Sequence, residues 1–166
     1  LVFGGEQPAV GFYGDLWSWD GLAWTEQAIE GPAPRSGAFM AYDRRRKVHV
    51  LFGGDDLFTN YRDVWELTPG GSWEEMTPAQ SPSPRDRGGA TYLPQIRRTF
   101  LFGGLGDVYL DETLVWNGQV WATREFNPAP AGRCCFAMVY DPILKGVLLF
   151  GGSVSWVKDN TLWLFK

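Results

Sequence analysis

The tripeptide Phe-Gly-Gly closes an apolar run four times in this chain, at Phe3, Phe52, Phe102 and Phe150. The steps between successive copies are 49, 50 and 48 residues. Self-similarity at a period near fifty marks a repeat architecture, in which each unit buries its apolar face only against its neighbours. Other landmarks keep the same phase. Arg35, Arg85 and Arg133 each stand seventeen residues before a Phe of this set, and Tyr42, Tyr92 and Tyr140 follow those arginines by seven. Trp24, Trp73 and Trp121 precede the last three copies by 28 or 29 residues.

Within one period the local signals are those of strands. From Arg35 to Trp73, a small and apolar run over 36–42 reads as a first strand, followed by the polar turn Asp43-Arg44-Arg45-Arg46-Lys47. Residues 48–52 form a second strand, apolar enough to be covered on both faces. The paired glycines end it where positive φ or close approach to a neighbour is needed. A loop then leads to a third strand over 64–67, and Trp73 opens a fourth. In the other copies the last turn is Asp20-Gly21 and Asn117-Gly118, strong hairpin dipeptides. Proline-rich linkers (Pro32-Ala33-Pro34, Pro82-Ser83-Pro84, Pro128-Ala129-Pro130) join one unit to the next. No segment has a 3.6-residue apolar period, and 21 glycines and nine tryptophans in 166 residues suit strands better than helices. Each repeat is therefore predicted to be a four-stranded antiparallel sheet, and such units stack radially as propeller blades.

The motifs Asp15-Leu16-Trp17-Ser18-Trp19-Asp20-Gly21, Trp24-Thr25, Pro34-Arg35-Ser36-Gly37, Ala41-Tyr42-Asp43 and Leu51-Phe52-Gly53-Gly54 resemble bacterial kelch repeats. The resemblance covers the whole chain. It implies an all-β, kelch-type β-propeller arc, the fold of galactose oxidase, and points to an extracellular or cell-surface setting. The units run over 1–30, 31–80, 81–128 and 129–166, two complete and two partial, so the arc is not expected to close within one chain. The missing faces would be covered by the remaining blades of a longer chain or by further copies of the chain itself.

A binding or interaction module with a protein or glycan ligand is the favoured expectation for function. In an antiparallel blade the loops from strand two to strand three emerge on the same face as the inter-blade linkers. That face collects Arg35, Arg85, Arg87 and Arg133 with Phe12, Tyr13, Phe58, Tyr61, Tyr109 and Trp156. Arginines and aromatics together suit acidic or carbohydrate ligands. Kelch domains that bind acidic peptides carry arginines at similar places, so the resemblance implies the same. Arg35, Arg85 and Arg133 also read as structural, because every blade repeats them, whereas Arg87 stands outside the period. Replacing Arg87 is expected to weaken binding and spare stability; replacing Arg35 should do the reverse.

The alternatives are a non-catalytic portion of a larger propeller enzyme and a self-assembling unit. No catalytic constellation, cofactor or metal site is expected within this segment. Galactose oxidase resemblance would imply copper held by two histidines and two tyrosines, and His49 is the sole histidine. The loop carboxylates Asp55, Asp56, Asp107, Asp111 and Asp159 lack the fixed spacing of a calcium loop. Cys134 and Cys135 are adjacent, hence expected on opposite faces of a strand, unbridged, and without a histidine in phase to activate a thiol. Arg44, Arg45, Arg46, Lys47, Arg97, Arg98 and Lys145 fall on strand-one-to-two turns and read as solvated hairpin tips rather than an anion patch. A net charge of −4 argues against nucleic acid as a general partner, and no apolar run approaches the eighteen or so residues of a membrane span.

Overall fold

The computed structural model describes residues 1–166 and contains strands, turns and no helix. Its strands form blades in chain order. The first sheet is three-stranded: β1 (Val2–Gln7), β2 (Gly11–Trp19) and β3 (Trp24–Gln27). Two four-stranded sheets follow. One runs β4 (Phe39–Asp43), β5 (Val48–Phe52), β6 (Val64–Leu67) and β7 (Trp73–Met76). The other runs β8 (Gly89–Leu93), β9 (Arg98–Phe102), β10 (Thr113–Trp116) and β11 (Trp121–Thr123). The last sheet is again three-stranded, with β12 (Ala137–Asp141), β13 (Gly146–Phe150) and β16 (Leu162–Phe165). Between β13 and β16 a small hairpin of β14 (Ser153–Val154) and β15 (Val157–Lys158) projects from the sheet. All pairings are antiparallel, and no sheet closes on itself.

Strand two of the second and third blades is apolar on both faces because it is covered on both faces. Val48, Val50 and Phe52 of β5 point towards the third blade and pack with Leu101, Leu114 and Trp116. The alternating residue Leu51 points the other way, into a cluster with Leu16, Leu67 and Trp73 at the first junction. One blade further on, Phe100 and Phe102 meet Val147, Leu149 and Phe165. A two-residue period thus divides each strand between two junctions.

The strand-four tryptophans complete these junctions. Trp73 meets the ring of Phe3 edge-on at 5.6 Å between centroids, and Trp121 meets Phe52 in the same way at 5.2 Å. Each tryptophan therefore covers the Phe-Gly-Gly phenylalanine of the preceding blade. Trp24 is the corresponding residue of the first blade and has no such phenylalanine; it packs on Trp19 and is 52% exposed. On the fourth blade Phe150 has no tryptophan and is 54% exposed.

Two expectations are corrected. Strand one begins at Phe39, Gly89 and Ala137, not at the serine after the arginine. Ser36, Asp86 and Cys134 form isolated bridges to Asp55, Leu105 and Ser153 instead. In the first blade the connection from strand two to strand three is a tight hairpin, so Phe12 and Tyr13 lie within β2 opposite Glu6 and Gly5 rather than in a loop.

Trp73 is only 9% exposed. Trp73→Ala is expected to cost about 3–5 kcal/mol in equilibrium denaturation, whereas Trp24→Ala, with no blade to cover, should cost less than about 1 kcal/mol. Equal losses for the two would contradict the junction assignment.

Candidate functional site

The face that bears the linkers is built around three arginines. Arg35, Arg85 and Arg133 are 1%, 0% and 2% exposed. Each Nε donates to the carbonyl two residues earlier (Ala33, Ser83, Ala131) at 3.0 Å. Each Nη1 donates to the carbonyl of the first glycine of its own blade, at Gly53, Gly103 and Gly151. The guanidinium then reaches the polar residues ahead of strand three: Asp63 in the second blade, Glu112 in the third, Asp159 and Thr161 in the fourth. The arginine carbonyl accepts the N–H of the second glycine of the preceding blade, at 2.9 Å for Gly5, Gly54 and Gly104 alike. The first glycine of that pair has φ of 63–69° at Gly4, Gly53 and Gly103, and a Cβ there would strike the same arginine carbonyl. These arginines are saturated and closed to a ligand, which removes them from the expected binding set. Tyr61 is partly exposed and committed to the same network: its ring lies 3.6 Å from the Arg35 guanidinium carbon, and its hydroxyl donates to Asp56 at 2.7 Å.

Arg87 is different. Its backbone does follow the repeat, since Gly37, Arg87 and Cys135 all have positive φ, at 64°, 53° and 62°. Arg87 N–H donates to the Gly37 carbonyl and Cys135 N–H to the Arg87 carbonyl, both at 2.8 Å, stepping from blade to blade. Its side chain is half-exposed, with Nε 3.0 Å from Asp86 Oδ2 and Nη2 4.0 Å from Asp55 Oδ1. Asp86 is buried where the other blades place Ser36 and Cys134. Burial pushes its carboxyl up to about 6; Arg87 pulls against this, and the carboxylates of Asp55 and Glu6 add to the rise. Arg87 is thus the cation beside a buried acid.

The loops supply the exposed part of the face. Asp55, Asp86, Arg87, Thr59, Phe58 and Leu105 border a cleft of about 280 Å³. A second cleft, of about 400 Å³, lies between the β1–β2 hairpin and Leu57. Leu57 therefore forms the ridge between the two. Its φ is 73°, a conformation that strains a branched side chain, and it is exposed. Phe58 beside it is 95% exposed, held out by Asp56, whose Oδ1 accepts the N–H groups of Phe58 and Thr59. At the tip of the β14–β15 hairpin both Ser155 and Trp156 have positive φ, 48° and 67°, and Trp156 is 79% exposed. Tyr109 of the third blade meets Trp156 edge-on at 5.5 Å, with its hydroxyl 3.5 Å from Ser153 Oγ. Tyr13 is half-exposed on the outer rim, its hydroxyl donating to Gln7 at 2.6 Å.

The geometry thus keeps Arg87, Phe58, Trp156, Tyr109 and Tyr13 accessible and brings Tyr109 and Trp156 together. Leu57, and Val10 and Val108 on adjacent loops, join them as exposed apolar residues that sequence reading missed. The one signal that could have found them is an aliphatic residue in a polar, turn-rich loop. Cys134 and Cys135 also depart from expectation. They lie outside any strand, and positive φ at Cys135 turns both thiols to one side, 2.7 Å apart. Burial and the neighbouring thiol push Cys134 up to about 12, so it stays protonated at neutral pH. Asp56 and Asp159 cap their own turns, accepting backbone N–H groups at 2.6–3.0 Å. His49 stacks on Tyr42 at 4.7 Å, and burial lowers its basicity.

No family model matches the chain. It is similar to the flagellar outer-arm dynein alpha chain of Chlamydomonas reinhardtii, 31% identical over 152 residues that cover 81% of this chain. The chain spans about 3% of the length of that relative.

Because the folded carboxyl of Asp86 titrates near 6, above its unfolded value of 3.8, it favours folding below pH 4, and that contribution is lost as pH rises through 6. Asp86→Asn is therefore expected to melt higher than the parent above pH 7, by no more than about 3 kcal/mol in stability, and to show a smaller gain at pH 4. A gain that does not grow between pH 4 and pH 7 would contradict this account.

Proposed function

We propose that the chain is a kelch-type binding module whose ligand, a protein segment, docks on the loop face. The observation that carries this reading is the set of large apolar side chains held out of the core at strained loop positions. Leu57 and Trp156 occupy positive φ yet bury little of themselves, and Phe58 is nearly bare. Strain of this kind costs on the order of 1–3 kcal/mol per residue and persists where the exposed side chain has a use. Exposed apolar groups flanking clefts, with one partly free arginine at the centre, have the make-up of a recognition surface: apolar anchors within a polar rim. A glycan would use the same aromatics by stacking. The aliphatic residues Leu57, Val10 and Val108 favour a protein. Similarity to a short stretch of a flagellar outer-arm dynein chain supports a module carried within a larger chain.

A second reading rests on the two outer faces. Trp24 lacks the phenylalanine that Trp73 and Trp121 cover, and Phe150 lacks a tryptophan. The two bare faces complement each other head to tail, so another blade of the same kind, in a longer chain or in a second copy, would bury both.

For the first reading, Phe58→Ala and Trp156→Ala should each weaken a captured protein ligand by about 2 kcal/mol or more while shifting stability by less than about 0.5 kcal/mol. A ligand that binds both variants as tightly as the parent would remove the loop face from consideration. For the second, light scattering should show concentration-dependent association of the 166-residue chain, abolished by the double variant Trp24→Glu/Phe150→Glu. A monomer at every concentration would count against it.

A further inference from the structure

On the opposite face, a cleft of about 440 Å³ opens between the second and third blades. Arg45 and Arg46 of the β4–β5 turn line it with Arg97 and Arg98 of the β8–β9 turn, and the Asn117–Gln119 turn closes it. No apolar residue and no carboxylate lines the cleft. Arg45, Arg97 and Arg98 take part in no ion pair. Arg46 is fixed from behind by Asp43 and Glu66, and Glu66 in turn accepts the Trp116 indole N–H across the junction at 2.7 Å. That anchoring uses Nε and Nη1 of Arg46; its Nη2 is buried and has no partner. Gly118 lies directly on the guanidinium, where a Cβ would come within 2.6 Å of Nη1.

The repeat supplies an internal control. At the next junction the positions of Arg45, Arg46, Arg97 and Arg98 are occupied by Gln95, Ile96, Lys145 and Gly146. The cleft there is about 70 Å³ and is lined by Ile96, Phe126 and Phe165 with the cations Arg124, Lys145 and Lys166, so it is basic too but largely apolar and without clustered arginines. The blade architecture therefore does not require the four arginines. Of the four guanidiniums only that of Arg46 has counter-charges, Asp43 and Glu66; those of Arg45, Arg97 and Arg98 repel one another with no acid paired to them, in a chain of net charge −4. The turns of two blades converge here, while Arg45 and Arg97 remain exposed, as expected of solvated hairpin tips.

We propose that this cleft binds a tetrahedral oxyanion, a phosphate or sulfate group, held by the forked donors of Arg45, Arg97 and Arg98, with the charge of Arg46 behind them. Guanidinium forks match such oxygens two at a time. The cleft is wide enough for linked groups rather than one.

The test is calorimetric titration of the whole chain with sodium tripolyphosphate and, separately, sodium sulfate, at matched ionic strength of about 50 mM, where screening is modest. One saturable site is expected, weakening steeply as salt is added. Arg45→Gln and Arg97→Gln should each weaken it about tenfold, the equivalent of one charge-assisted hydrogen bond, with melting temperature unchanged because neither side chain has an intramolecular partner. Lys158→Gln removes the same charge on the opposite face and should leave binding as it is. Tighter binding of tripolyphosphate than of sulfate would assign linked phosphates, and equal binding a single oxyanion; either upholds the site. No saturable binding of either anion, or a loss with Lys158→Gln as large as with Arg97→Gln, would overturn it.

Discussion

One backbone carbonyl, that of a buried arginine, ties each blade to the one before it. The carbonyl of Arg35, Arg85 or Arg133 accepts from the second glycine of the preceding blade, while the guanidinium of the same residue is spent on its own blade. The two requirements fit together. A carbonyl can come that close only to a glycine, since a Cβ on the first glycine of the pair would occupy its place. The fully extended fan of donors on arginine is then needed to satisfy the carbonyls left by the tight linker. Arginine and double glycine are one device, which explains why they recur in phase.

Around that device the apolar clusters do the stabilising. Each junction is a separate small core, with strand two contributing alternate residues to the junctions on either side. Stability is accordingly divided among neighbouring pairs of blades, as in other repeat architectures. The outermost sheets leave apolar residues exposed, Trp24 on one side and Phe150 on the other.

A repeat makes departures from itself informative. Asp86 sits where other blades hold Ser36 and Cys134, and needs Arg87 beside it. The four arginines of the lower cleft stand where the next junction has Gln95, Ile96, Lys145 and Gly146. The loop tips differ from blade to blade in length and in the apolar group they present. The scaffold accounts for what recurs and does not require what departs from it.

The period of Phe-Gly-Gly, the alternation within strands and the hairpin dipeptides determined the sheets and their order from sequence alone, and the period marked Trp73 and Trp121 as equivalent without saying what they cover. These are local or periodic patterns, and the backbone geometry they imply leaves few alternatives. The blade-linking role of Arg35, Arg85 and Arg133 was half legible, because periodicity marks a residue as architectural without saying what it touches. Tertiary structure alone decided the rest. It showed that Tyr61 is packed on Arg35, that Leu57 and Trp156 stand out at positive φ, that Asp86 is buried, and that two basic turns fifty residues apart share one cleft. Each of these depends on which side chains from different blades face one another, and that is set by how the blades rotate about their junctions rather than by any pattern within one repeat.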